Sequence, residues 1–325
     1  MGACRREAPT GVKSRGLLIV IQIVVSGVFP RFPAVRSRCL ANPDALLDIA
    51  QQECPRGPSA EELSDRFSLI LHDLRMGGVW KRTNRGRLKR TEEVLCAHIP
   101  PGLRQGLILL DIGASDGITT VEAVRALRHA FGIEVHAFLA DRDVWLLRYR
   151  RGPIVEYRAA DGEPVMVRLG PLGVRLAKHR REAQAEINPL ARRYLRLNRF
   201  RRSMQLDARI SLVNPISRSE AGITILQLDC LVRSESLIGC ISAVRASNVL
   251  NLGYFSPQQI RDAVGHIYSY LREGGCFVAS RNDDQPESDA ENGSVWQKEG
   301  RRFRWLKDFG TGSEIKSVVD GWSLG

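Results

Sequence analysis

From residue 107 onward, short apolar runs alternate with stretches in which apolar residues recur every three or four positions. Residues 107–110 (LILL) form a continuous apolar run, the pattern of a strand covered on both faces. Val121, Val124, Leu127 and Phe131 then fall on one side of a helix that Gly132 ends, and 133–140 is a second strand running into Asp141. Strand, helix, strand in this order predicts a right-handed crossover in a parallel sheet. A second unit follows. Residues 223–226 and 241–244 read as strands, and Ser256-Pro257-Gln258-Gln259 supplies a capping residue, a proline at the first helical position and a glutamine three on. Ile260, Val264, Ile267 and Leu271 are the inner face of that helix, Gly274-Gly275 its end, and 276–279 the next strand. A polar loop over 283–293 precedes a terminal hairpin region, 286–325, with strands at 295–296 and 302–309 and a last short element at 315–319.

Upstream the pattern is helical. Leu46, Leu47, Ile49 and Ala50 precede a Pro/Gly break at 55–58. Ser59-Ala60-Glu61-Glu62 resembles a capping box opening a helix with Leu63, Phe67, Ile70, Leu71 and Leu74 on one face, and Gly77-Gly78 stops it. A basic stretch over 81–90 leads to a short helix at 92–98. Residues 41–105 thus read as a helical cap ahead of a main domain at 106–325. Residues 1–40 are an extension carrying the only long apolar run, 17–29, preceded by Arg5, Arg6, Lys13 and Arg15. That resembles the start of a secretory signal, but Pro30-Arg31-Phe32-Pro33 offers no small-x-small cleavage site. The run is also shorter than the ~18–20 residues that span a bilayer. Three readings stay open: a weak membrane anchor, an extension that never folds, and a strand or helix packed on the body. The expected location is cytoplasmic, with membrane association through 17–29 left open.

Charge changes the picture in one place. The chain of 325 residues carries a net charge of +12, yet 142–202 alone holds 16 basic and 6 acidic residues. The segment 142–220 therefore reads as a basic insertion between the second and third strands. It contains a hairpin over 155–169, turning at Asp161-Gly162, and an arginine-rich helical stretch over 175–202. Arg192, Arg193, Arg196 and Arg199 fall at helical spacing beside Tyr194 and Phe200. Such a face is either merely solvated or contacts an anionic partner: nucleic acid, an acidic lipid or a small anion. A composition of 43% hydrophobic and 26% charged residues argues against a wholly disordered or fibrous chain. Seven cysteines, odd in number and with no Cys-x-x-Cys, imply reduced thiols and no structural zinc. Six scattered histidines suggest no metal site.

Leu110-Asp111-Ile112-Gly113-Ala114-Ser115-Asp116-Gly117 is the most informative stretch. A strand ends, glycines follow at a spacing of four, and a helix begins, which presents backbone amides to a ligand at the carboxyl edge of a parallel sheet. The G-x-G-x-x-G of dinucleotide enzymes is absent, which disfavours a nicotinamide-dependent enzyme.

With Asp141 ending the second strand, Leu228-Asp229-Cys230 following the third, and the helix, Gly-Gly turn and strand at 270–278, this stretch resembles class I S-adenosylmethionine-dependent methyltransferases. The resemblance covers 106–141 and 221–281. It implies an α/β, Rossmann-like doubly wound sheet, here with an N-terminal helical cap and a basic insertion. It also implies methyl transfer from S-adenosylmethionine to an unidentified acceptor by in-line displacement. By that resemblance Gly113, Ser115 and Gly117 form the cofactor loop, Asp111 and Asp116 hold its methionine end, and Asp141 accepts from the ribose hydroxyls, with Asp143 as the fallback. Asp229 accepts from the adenine amino group beside Cys230. Residues 246–255 are similar to a stretch of chemotaxis-receptor glutamate methyltransferases. Ser247 stands where those have arginine, and two extra residues precede Tyr254-Phe255. Asn248 and Tyr254 are the candidates near the acceptor. The competing class is a non-catalytic nucleic-acid-binding protein on the same scaffold.

Overall fold

The computed structural model describes residues 22–25, 39–51, 58–72, 74–76, 79–81, 83–176, 189–282 and 290–324. In chain order its elements begin with strands β1 (Gln22–Val25) and β2 (Cys39–Ala41), helices α1 (Asp44–Gln51) and α2 (Pro58–Leu71), the short strands β3 (Arg75–Met76) and β4 (Val79–Trp80), and helix α3 (Lys89–His98). Strand β5 (Leu107–Ile112), helix α4 (Ile118–Phe131) and strand β6 (Val135–Asp141) follow. Next come β7 (Trp145–Arg151), β8 (Ile154–Ala159), β9 (Pro164–Leu169), β10 (Leu172–Arg175), helices α5 (Pro189–Leu195) and α6 (Asn198–Arg202), and β11 (Gln205–Ser211). The chain closes with α7 (Pro215–Ser219), β12 (Ile223–Gln227), β13 (Ile241–Ser247), α8 (Pro257–Tyr270), β14 (Leu271–Asn282), β15 (Glu291–Glu299), β16 (Arg302–Phe309) and α9 (Lys316–Asp320).

One seven-stranded sheet has the order β12-β6-β5-β13-β14-β15-β16. Its first five strands are parallel, and β15 and β16 add an antiparallel edge. Alternate residues explain the apolar runs. Leu107 and Leu109 of β5 pack with Val94 and Leu95 of α3 and Val124 and Leu127 of α4. Leu110 and Ile112 share the opposite core with Ile260, Val264 and Ile267 of α8 and Val319 of α9. Helices thus cover both faces, and the doubly wound α/β class expected from the sequence is the fold observed. Each buried aliphatic side chain contributes roughly 1.5–3 kcal/mol. Ser256 and Gln259 form the reciprocal capping box at the start of α8. That helix ends at Tyr270, four residues before the expected Gly-Gly stop. Gly274 and Gly275 lie instead inside β14, where the pairing with β13 slips between Ile241 and Ala243. Strand β15 starts at Glu291, so the polar loop is shorter than 283–293, and 283–289 lie outside the described residues.

The inserted segment differs more from expectation. It supplies five strands of a second seven-stranded sheet, β11-β7-β8-β9-β10-β1-β2, whose β1 and β2 come from the N-terminal part of the chain, rather than a hairpin and a long helix. The hairpin over 155–169 is there as β8 and β9, turning at Gly162 with φ +86°, but β7, β10 and β11 extend it on both sides. Of the expected helical stretch, Arg175 ends a strand, only α5 and α6 are helical, and 177–188 lie outside the described residues. Within the apolar run 17–29, residues 22–25 form β1, antiparallel to β10 and parallel to β2, so of the three open readings this part follows the packed strand. Helices α1 and α2 cover the inserted sheet, where Leu46, Ile49, Phe67 and Leu71 pack on Leu146, Tyr157, Val165 and Ile210. Among the described residues no helix is long and apolar enough to cross a membrane.

Candidate functional site

Strands β6 and β12 lie to one side of β5, and β13 and β14 to the other, so the strand order reverses beside β5. Ligands of open α/β sheets sit at the carboxyl ends of the strands at this switch point. A cleft opens there, with Ile112 and Gly113 at the end of β5, Asp141 and Asp143 at the end of β6, Leu228 to Leu231 after β12, and Ser247 to Val249 at the end of β13. Tyr254 and Phe255 add to its wall, and Met76, Lys81 and Arg87 reach it from the N-terminal part of the chain. Counting the solvent in its open mouth it holds about 890 Å³.

Gly113 has φ +73°, and a Cβ there would lie 2.6 Å from Cβ of Val249. Its N–H donates to the Ala140 carbonyl at 2.8 Å. Glycine is therefore required both by the left-handed turn and by the loop after β13. Ser115 also has positive φ, +60°. Its N–H donates to Asp141 Oδ2 at 2.9 Å, while its Oγ is buried with no hydrogen-bond partner.

Asp141, the expected ribose acceptor, is already engaged. Oδ1 accepts from the Lys81 ammonium and from the Asp143 N–H at 3.0 Å, and Oδ2 takes the Ser115 N–H. Lys81 is itself buried and also donates to the Asp143 carbonyl at 3.0 Å. The fallback Asp143 is the more available group. Arg142 clamps its Oδ2 through Nε at 3.0 Å and Nη2 at 2.8 Å, and Oδ1 is buried with no partner. Asp229 lines the cleft, with Oδ1 capping the turn through the Leu231 N–H at 2.9 Å. Burial pushes the Cys230 thiol up to about 12, which keeps it protonated and unreactive at neutral pH.

Asn248 and Tyr254 both line the cleft. Asn248 has φ +60°, and its side chain makes a reciprocal pair with Asn282, donating through Nδ2 at 2.9 Å and accepting the Asn282 N–H at 2.8 Å. The pair fixes the loop and leaves Asn248 one N–H and one oxygen lone pair. Tyr254 is half-buried in the wall.

Three expected cofactor residues lie outside the cleft. Asp111 sits on the α3/α4 side of β5, in register with Arg245 of β13. Arg245 is wholly buried and donates to it from Nε at 2.9 Å and Nη2 at 2.5 Å, and Thr120 Oγ1 donates at 2.5 Å. Asp111 is thus consumed by an internal ion pair. Asp116 is also fully buried. Ser68 Oγ donates to it at 2.6 Å and the Ile118 N–H at 3.0 Å, tying α2 to the start of α4, and burial pushes its carboxyl above the ordinary range. Gly117 has φ +84°, and a Cβ there would lie 1.9 Å from Leu139 Cδ1. Its role is packing. Sequence reasoning missed Lys81, Arg87, Arg142 and Arg245. Only Arg245 left a clear signal: a lone charge in a strand, ISAVRAS, whose seven positions are all buried.

Beneath the cleft, the Arg245 guanidinium stands 3.8 Å from Glu92 Oε1. Burial pushes the Glu92 carboxyl from 4.5 up to about 7; Arg245 opposes that shift, while Glu122, Glu291 and Asp111 add to it. Because the folded value lies above the unfolded one, the folded state is favoured below about pH 4.5 and loses that advantage as pH rises through about 7. Urea unfolding across this window should show the loss, and Glu92→Gln should flatten it. An unchanged pH dependence in the variant would remove Glu92 as its origin.

No family model matches the sequence, and no curated protein does. Solved structures are similar to it at low identity. They include the CMeT domain of the citrinin polyketide synthase, 13% identical over 70% of this chain and 41% of that one, with a TM-score of 0.32. The S-adenosylmethionine-dependent methyltransferase SibL in its apo form is 14% identical over 74% of this chain and 51% of its own, with a TM-score of 0.30. A possible exported protein from Bordetella parapertussis is 13% identical over 76% and 56%, with a TM-score of 0.31. The chain spans about half the length of these proteins. The fold class rests on the strand order and directions above.

Proposed function

We propose that the cleft binds S-adenosylmethionine and that the chain is a methyltransferase. The observation that carries this reading is Asp143: a buried carboxylate in the cleft wall, fixed by Arg142 through one oxygen and unpartnered at the other. Leaving a buried acceptor without a donor costs ~1–3 kcal/mol, more for a charge, and a ribose diol supplies the missing donor. Apolar side chains of Ile112, Leu228, Leu231 and Phe255 suit an adenine ring, with Asp229 beside them for its amino group. For the amino-acid end the cleft offers Gly113, Ser115 and Arg87, in place of Asp111 and Asp116. The ligand set therefore fits the nucleoside half most closely.

When bound, the cofactor supplies an electrophilic methyl group on a sulfonium, and alignment of the acceptor then carries much of the rate. The chain's part is to orient. Arg142 holds Asp143, Asn282 holds the Asn248 turn, and Gly113 and Val249 fix the floor. Cys230 stays protonated and is no base, and a base is needed only for an acceptor that arrives protonated.

Calorimetric titration with S-adenosylmethionine and its demethylated product is the test. Asp143→Asn is expected to weaken binding by ~10-fold or more, the worth of a hydrogen bond to a charged group, without loss of the folded state. Failure of folded wild-type protein to bind either compound would sink the proposal. Unchanged affinity in the variant would return the ribose contact to Asp141.

A further inference from the structure

Two sets of arginines stand out in the inserted segment. One set is spent on folding. Arg148 and Arg150 donate to Asp207, each at 2.9 Å, Arg148 and Arg168 to Asp44, and Arg158 and Arg201 to the fully buried Glu156. The other set is Arg192 and Arg193 on α5, Arg196 in the turn that follows, and Arg199 and Arg202 on α6. All five are exposed, and among the described residues none has a carboxylate within ion-pair distance. Between 187 and 206 the sequence has six arginines and no aspartate or glutamate.

This helix pair is anchored on its inner side. Tyr194 Oη donates to Glu156 at 2.5 Å, Arg201 Nε donates to the same carboxylate at 2.8 Å, Arg158 Nη2 donates to the Arg201 carbonyl at 3.1 Å, and the Arg151 guanidinium lies 4.8 Å from the Phe200 ring centre. The outer arginines are thus displayed on a fixed platform. Arg199 and Arg202 stand three positions apart on α6, neighbours on the helix surface, where like charges repel. A polyanion relieves that repulsion.

We infer that α5 and α6 form a docking surface for the phosphodiester backbone of a nucleic acid. Exposed Asn198 and Gln205 stand among the arginines, and neutral donors of this kind join arginine in contacts to phosphate oxygens. A membrane fits the surface less well. The helices have seven and five residues, and the exposed apolar side chains along this stretch are Leu197 and Leu206, at 50% and 45% exposure. That is too little to make the apolar face an interfacial helix inserts.

Fluorescence anisotropy with labelled single-stranded RNA, single-stranded DNA and duplex DNA, at ~50 to ~200 mM KCl, tests this on the full chain. Log affinity should fall linearly with log salt. The triple variant Arg192→Gln, Arg193→Gln, Arg196→Gln should reduce the slope by about 2–3, as three lost phosphate contacts require. Removing three charges from β16 instead, Arg302→Gln, Arg304→Gln, Lys307→Gln, should leave the slope unchanged. Circular dichroism checks that both variants fold. Absence of binding at low salt, equal slopes in wild type and the first variant, equal losses in both variants, or binding only to phosphatidylglycerol vesicles would each overturn the inference.

Discussion

Arg245→Met is expected to lower the free energy of unfolding by about 3–5 kcal/mol, the cost of stripping one partner from a buried ion pair. The guanidinium is wholly buried in the central strand of the main sheet, and two of its nitrogens hold Asp111. Without it the Asp111 carboxylate keeps only the Thr120 hydroxyl and must either carry an uncompensated charge or take up a proton. Asp111→Leu alone leaves the guanidinium equally stranded, with Glu92 at 3.8 Å as its nearest anion. The double variant removes both charges and should cost less than either single change, because well-packed apolar pairs commonly replace buried ion pairs at little loss. Urea denaturation of all four proteins measures the coupling. A cost below about 1 kcal/mol for Arg245→Met would mean that this pair adds little beyond its own desolvation.

The same pair shows why the sequence was legible in some places and misleading in others. Strands β5 and β13 could be read because they are buried on both faces, and helices α4 and α8 because their apolar spacing and their glycine or serine ends are local signals. The use of Asp111 could not be read, since its partner lies 134 positions away and meets it only through strand register. Glycine conformation was legible, but purpose was not. Gly113 lies in the cleft wall, while Gly117 makes room for Leu139, and nothing in a G-x-x-x-G spacing separates the two. The inserted sheet was hidden for a different reason. In β7, WLLRYRR, the positions that a half-buried strand usually gives to small polar residues carry arginines, whose partners Asp44 and Asp207 come from α1 and β11. Six arginines within 187–206 dominated the reading of an insertion that supplies five strands. Charge therefore marked where the insertion lay without revealing its fold.

Asp141→Ala is expected to destabilise the protein by about 3–5 kcal/mol as well as to alter the cleft, because Asp141 is the counter-charge of a buried lysine. Its loss leaves the Lys81 ammonium with the Asp143 carbonyl and strips the Ser115 and Asp143 N–H groups of their acceptor. A fall in ligand affinity in this variant would therefore mix two effects. Lys81→Met separates them. There the carboxylate keeps both backbone N–H donors, so the stability cost should be smaller than for Asp141→Ala, and Oδ1 loses a competing cation. If the cleft takes a ribose diol, Asp141 then becomes a second acceptor beside Asp143, and affinity for S-adenosylmethionine should rise in Lys81→Met while Asp143→Asn lowers it. Urea denaturation and calorimetric titration of the three variants read the two quantities independently. Equal stability of Asp141→Ala and wild type would show that Lys81 does not depend on this carboxylate. A loss of affinity in Lys81→Met would make the lysine a ligand contact in its own right.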